Sequence, residues 1–205
     1  MVGLIGRKMG MTQLYNDRDE LVPVTVVAAG PCPVVQVRDE DKNGYTALQL
    51  AFEVVPEHRV TRPVAGQFKK AGIPVHRITQ EFRGDAAAYE VGQVLDVSQF
   101  AVGDTVKISG RSKGKGFAGV IRRHGFRGKK ATHGTPDRQR HGGSIGQGTT
   151  PGKVWKGKKM PGHLGARQVT VSGLEIERVD TERNLLFVKG AVPGGVNALL
   201  TIVKR

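Results

Sequence analysis

The stretch Leu21–Ala29, LVPVTVVAA, decides the fold class. It is crowded with Val and Thr, whose branched Cβ suits a pleated surface better than a helix. It therefore reads as a strand, and Pro23, which removes a ladder donor near its start, predicts an edge position. Gly3–Tyr15 before it reads as a strand or hairpin, with Asn16-Asp17-Arg18-Asp19-Glu20 as the turn. After it, Gly30-Pro31-Cys32-Pro33 breaks the chain. Residues 34–38 and 45–53 read as strands joined across an acidic hairpin loop at 39–44. Residues 63–71 fit one short helix ahead of Gly72, and 75–83, 94–97 and 105–109 continue the strand pattern.

Strands resume far downstream. Residues 169–179 fit one or two, 180–184 form a turn, Leu185–Lys189 pairs back, and 199–203 close the chain after a break at Pro193-Gly194-Gly195. The fold class is mainly β with minor α. Its simplest topology is a barrel-like core completed by the C-terminal strands. Only 5% of the 205 residues are aromatic, so the core rests on Val, Ile, Leu and Ala.

Between the two sets of strands the composition changes. Residues 107–168 hold 16 of the 32 bases and one of the 18 acids, Asp137, for a net +15; the rest of the chain carries −1. The same run holds 15 of 29 glycines and four of six histidines. Its apolar residues keep no sustained period of 2 or 3.6. Burial there cannot offset chain entropy, and like charges oppose collapse. The expectation is a loop or arm, anchored at both ends and ordered only when phosphates neutralise it. The division predicted is 1–109 and 169–205 for the core and 110–168 for the basic excursion.

A pI near 10.3 makes a polyanion the default partner. No apolar run approaches the roughly 20 residues that span a bilayer, and no basic amphipathic helix suits a membrane surface. The bases of the N-terminal run, Arg7 and Lys8, follow a short apolar stretch, the reverse of a signal peptide. Cys32, the only cysteine, has no partner for an internal disulfide and is expected to be a buried, inert thiol in a reducing cytoplasm.

Several motifs invite sharper chemistry. Gly114-Lys115-Gly116-Phe117-Ala118-Gly119 matches a dinucleotide loop, but Asp137 sits among Pro136, Arg138 and Arg140 with no strand before it. A phosphate-binding loop of the GxxxxGK[ST] type fails by one residue and by its final Ser or Thr. Here glycines are expected to let backbone N–H groups approach phosphates, with Phe117, Val120 and Ile121 docking a short helix on the core. His124, His133, His141 and His163 have spacings that fit no compact metal site, and contact with bases or phosphate suits them better. Asp137, His141 and Ser144 have the composition of a triad, but not the rigid cleft it needs. Trp155, between Lys153 and Lys156, suits base stacking as well as a core. A glycine-rich loop that fills irregular crevices fits folded RNA better than a uniform duplex.

Four blocks carry a resemblance. GRSKGKGFAGVIRRHGF (110–126), SIGQGTTPGKVWKGKKMPGHLG (144–165), GLIGRKMGMTQLY (3–15) and ERNLLFVKGAVPG (182–194) resemble, in order, the motifs of the bacterial ribosomal protein L three family. Lys107 departs from the acid or Asn expected there. The resemblance implies an elongation-factor-like β-barrel with a small α/β part and a long extension. It also implies a structural role in the large ribosomal subunit: binding 23S ribosomal RNA, touching neighbouring ribosomal proteins, aiding assembly and reaching toward the peptidyl transferase centre with a tip near 142–150. Gln147 matches a glutamine that some bacterial members carry methylated, which implies a methyltransferase as a further partner.

The site residues expected to contact RNA are Arg111, Lys113, Lys115, Arg122, Arg123, Arg127, Lys129, Lys130, Arg138, Arg140, Lys153, Lys156, Lys158, Lys159 and Arg167, with His141 and Trp155 stacking. No cofactor, metal, small-molecule substrate or catalysis is expected. The contrasting readings are a nucleotide-dependent enzyme using the glycine-rich loop, and a general nucleic-acid compactor.

Overall fold

The computed structural model describes residues 3–16, 18–84, 88–130, 132–134 and 137–204. Met1 and Val2 of the N-terminal run, Asp17 of the turn cluster and Pro136 lie outside them. The strands are β1 (Gly3–Tyr15), β2 (Leu21–Ala29), β3 (Cys32–Arg38), β4 (Ala47–Val54), β5 (His76–Arg83), β6 (Val94–Leu95), β7 (Thr105–Arg111), β8 (Phe117–Ala118), β9 (Gly162–His163), β10 (Gln168–Asp180), β11 (Leu185–Lys189) and β12 (Leu199–Lys204). The helices are α1 (Glu40–Asn43), α2 (Arg62–Ala71) and α3 (Val120–His124). The mainly β class is borne out. The chain divides into two units, residues 1–112 with 168–205, and residues 113–167.

In the first unit, β1-β12-β7-β10-β11-β2 close an antiparallel barrel, beside a four-stranded sheet ordered β5-β4-β3-β6. Leu4, Ile5, Ile108, Ile176, Leu186, Leu200 and Ile202 are almost wholly buried and belong to one core with Val34, Leu48 and Leu50 of the sheet. Each such side chain contributes roughly 1.5–3 kcal/mol by leaving water. Successive strand residues face opposite ways. Val34 and Leu50 thus join that core, whereas their neighbours Val35 and Ala51 pack with Phe68 of α2. Burial on both faces explains the unbroken apolar runs in β3 and β4. Pro63 in the first turn and Gly72 at the left-handed C-cap (φ 69°) bound α2.

Several sequence expectations are corrected. Pro23 does not mark an edge strand, because β2 lies between β1 and β11 in a closed barrel. The β11 ladder on β2 runs only over 24–28, and the Pro23 carbonyl accepts from Gly190 N–H at 2.8 Å just beyond it. A residue's N–H and C=O point to the same side of a strand, so the donor Pro23 lacks would face Gly190, whose carbonyl accepts from Thr25 Oγ1 instead. The acidic hairpin loop contains the single helical turn α1, closed by Gly44. The strand expected over 94–97 stops at Leu95, because Asp96 accepts from Ser98 N–H and starts a 3-10 turn at Val97–Gln99. Residues 169–179 belong to one strand, β10, bulged between Ser172 and Leu174.

The buried polar side chains Lys8, Thr25 and His76 are each bonded, as a water-poor interior requires. Lys8 Nζ donates to the Val192 carbonyl at 3.1 Å, and Thr25 Oγ1 to Gly190 at 2.6 Å. His76 Nδ1 meets the Pro74 carbonyl at 2.7 Å and must carry the proton, since a carbonyl only accepts. Cys32 is fully buried beside the Ile5 carbonyl, and burial pushes its thiol up to about 11. It is the inert thiol expected.

Candidate nucleic-acid interface

The excursion leaves and returns through neighbouring barrel strands. Arg111 pairs with Gln168 and Gly110 with Val169. Both ends of residues 113–167 are thereby tied to a ladder that long apolar side chains hold in place.

Inside the excursion, side-chain burial does little. Among its described residues only Ala118 and Val120 are buried. Backbone bonds hold it instead. Lys115 N–H donates to Leu164 at 2.9 Å, Leu164 N–H to Gly116 at 2.9 Å, and β8 pairs with β9. This approach needs glycine at 165, where φ is +75° and a Cβ would stand 2.1 Å from the Lys113 carbonyl. The glycine-rich loop is therefore partly spent on its own fold: the Lys115 amide, expected to face phosphate, is occupied. Nor is it a dinucleotide loop, since β8 has an antiparallel two-residue partner rather than a parallel sheet.

The helix expected after this loop is α3, one short turn with Val120 buried. Phe117 anchors nothing in this way, being 79% exposed. Two side chains of α3 close a second clasp: Arg123 Nη1 donates to the Met160 carbonyl at 2.7 Å, and His124 Nε2 meets the same oxygen at 3.0 Å. A third clasp joins Lys129 N–H to the Gln139 carbonyl at 3.0 Å. Beyond it, bonds are local, such as Ser144 Oγ to Gly146 and Lys158 N–H to Trp155.

The candidate contacts are accordingly displayed. Lys113, Lys115, Arg122, Arg127, Lys129, Lys130, Arg138, Arg140, His141, Lys153, Lys156, Lys158 and Lys159 are exposed, as are Gln147 and, at the ends of the segment, Arg111 and Arg167. Arg123 differs, half-buried with one guanidinium nitrogen on Met160. Trp155 is 63% exposed, with Lys153 Nζ 5.0 Å from its ring centroid, and is not a core residue. Asp137, His141 and Ser144 are all exposed, not held in the rigid, buried cleft a triad needs.

Electrostatics separate the two units. Among the described residues the ion pairs, such as Arg7–Glu53, Lys204–Asp104 and Lys189 with Glu175 and Glu177, lie in the barrel unit. The Arg7 hydrogen bond holds the Glu53 carboxyl below the usual carboxylate range, and Lys204 does the same for Asp104. Among the described residues of 113–166 no such pair is found. Sequence reasoning passed over Phe126, which with His141 and three cations lines a cavity of about 830 Å³. The available signal was an aromatic ring directly before Arg127 in a run with a single acid.

A closed β-barrel carrying a clasped, acid-poor cationic insertion between adjacent strands defines a class: barrel-anchored proteins that present a polycation. Residues 77–185 match the family described as Ribosomal protein L3. The "Large ribosomal subunit protein uL3" of Herpetosiphon aurantiacus is 48% identical over 200 residues, covering 98% of this chain and 94% of that protein. That of Corynebacterium jeikeium is 49% identical over 98% of this chain and 93% of its own, and that of Brachyspira pilosicoli 46% identical over 100% and 94%. The chain belongs to the ribosomal protein L3 family.

Proposed function

We infer that this chain is a structural component of the large ribosomal subunit in the cytoplasm, holding large-subunit (23S) ribosomal RNA through residues 110–168. The observation that carries this reading is the row of exposed cations from Lys113 to Lys159, which among the described residues form no ion pair with an acid, on a backbone-clasped excursion. Such a surface is neutralised by converging phosphates and releases their counterions. Family membership supplies the large-subunit context.

The barrel serves as the anchor and docks on neighbouring ribosomal proteins. The fifteen cations named above neutralise phosphates, and His141 and Trp155 stack on bases. The segment around 142–150 is the tip that reaches toward the peptidyl transferase centre. Gln147, exposed on that tip, is the acceptor for a glutamine methyltransferase. The chain acts by positioning RNA and supporting assembly rather than by catalysis.

Replacing residues 126–162 with a short glycine linker tests this. The expected product is a soluble, folded barrel that no longer co-sediments with large subunits. Normal entry of that variant into subunits would show that the excursion is not the binding element.

A further inference from the structure

One feature of residues 113–167 is concave. Two segments, 126–129 and 138–144, line an open cavity of about 830 Å³. That lies within the roughly 300–1,000 Å³ range of small-ligand pockets. The walls are pinned to each other. A Cβ on Gly128, at φ +73°, would stand 2.3 Å from the Gln139 carbonyl, the same oxygen that accepts from Lys129 N–H. At Gly142 an added Cβ would meet Val120 at 3.0 Å and the Phe126 ring at 3.5 Å. The cavity is thus a product of close backbone approach, not of a loop lying open.

Its lining is chemically mixed. Phe126 and His141 offer rings, and Arg127, Lys129 and Arg138 offer cations. No carboxylate lines it. A bare phosphate would use the cations and leave both rings idle. A regular duplex would present phosphates but no free base face. An unstacked nucleotide uses both halves, its base against a ring and its phosphate among the cations.

We propose that this cavity receives a single nucleotide extruded from the RNA, its base against Phe126 and His141 and its phosphate among Arg127, Lys129 and Arg138. This rests on the RNA-binding reading and adds a subsite to it. The cationic surface elsewhere tracks backbone without regard to base pairing, whereas the cavity selects a bulged or splayed residue.

The test uses the full chain and two RNA hairpins of equal length, one with a single bulged 2-aminopurine nucleotide and one fully paired. The bulged hairpin should bind about tenfold tighter, a factor within reach of one stacked base, with a change in 2-aminopurine fluorescence. The variant Arg138→Ala/His141→Ala alters exposed side chains and should bring the affinity ratio close to one. The variant Lys158→Ala/Lys159→Ala should weaken both hairpins and keep the ratio. Tight wild-type binding with a ratio of one overturns the subsite and leaves RNA binding standing. A ratio unchanged by Arg138→Ala/His141→Ala also overturns it. Binding to neither hairpin overturns both.

Discussion

The barrel unit and the excursion are built by opposite means. In the barrel unit, apolar side chains are fully buried and cations meet acids, as Arg7 meets Glu53. In residues 113–167 two buried apolar residues and a set of clasps do the holding, and the cations other than Arg123 are exposed. One region is organised to be stable alone. The other keeps its charge unspent for a partner, and its clasps fix where that charge is presented.

The contrast can be broken in graded ways. The largest effect on stability is expected from Leu4→Ala or Ile108→Ala, each at a wholly buried site. A loss of about 2–5 kcal/mol is expected in urea unfolding. A smaller loss would mean that the barrel core is not what carries the fold. Next is Gly165→Val, which forces a branched residue to φ +75° against the Lys113 carbonyl. Strain of about 1–3 kcal/mol falls on the first clasp. Hydrogen exchange should quicken at Lys115 and Leu164 while barrel amides such as Ile176 keep their protection.

Removing charge should act on binding rather than folding. For Lys158→Gln/Lys159→Gln, the slope of log affinity against log salt should shrink by about one for each lysine removed. The urea midpoint should stay where it is. A large fall in that midpoint would show that these cations are paired within the fold after all.

The smallest effect concerns the Arg7–Glu53 pair. The carboxyl is held below its unfolded value of about 4.3, so its contribution is present above that value and lost as pH falls through the lower folded one. Glu53→Gln should therefore cost under about 1 kcal/mol near pH 7. The difference from wild type should shrink as pH falls below the unfolded value and vanish once pH has passed below the lower folded one.

Strand identity was legible where β-branched residues cluster, as in Leu21–Ala29. The interruption was legible because sixteen bases and one acid cannot form a core. What sequence left open follows from long-range pairing. Pro23 looked like an edge marker because a local reading cannot know that Thr25 Oγ1 serves the Gly190 carbonyl that the missing N–H would face. Lys8 read as one base among many, yet it is buried against Val192, which lies 184 residues away. The glycines of 114–116 read as phosphate-facing, yet the Lys115 amide is bonded to Leu164. In each case the partner is distant in sequence.

From its residue order alone, this chain is committed to a strand-rich core and to a single acid-poor cationic run. Both are consequences of local composition: branched side chains favour the pleated backbone, and like charges without apolar neighbours resist collapse. The closure of six strands into a barrel, the clasps at Met160, Leu164 and Gln139, and the cavity beside Phe126 were decided only in three dimensions. They depend on which distant backbone groups meet, and hydrogen bonds and close packing are settled between segments rather than within them.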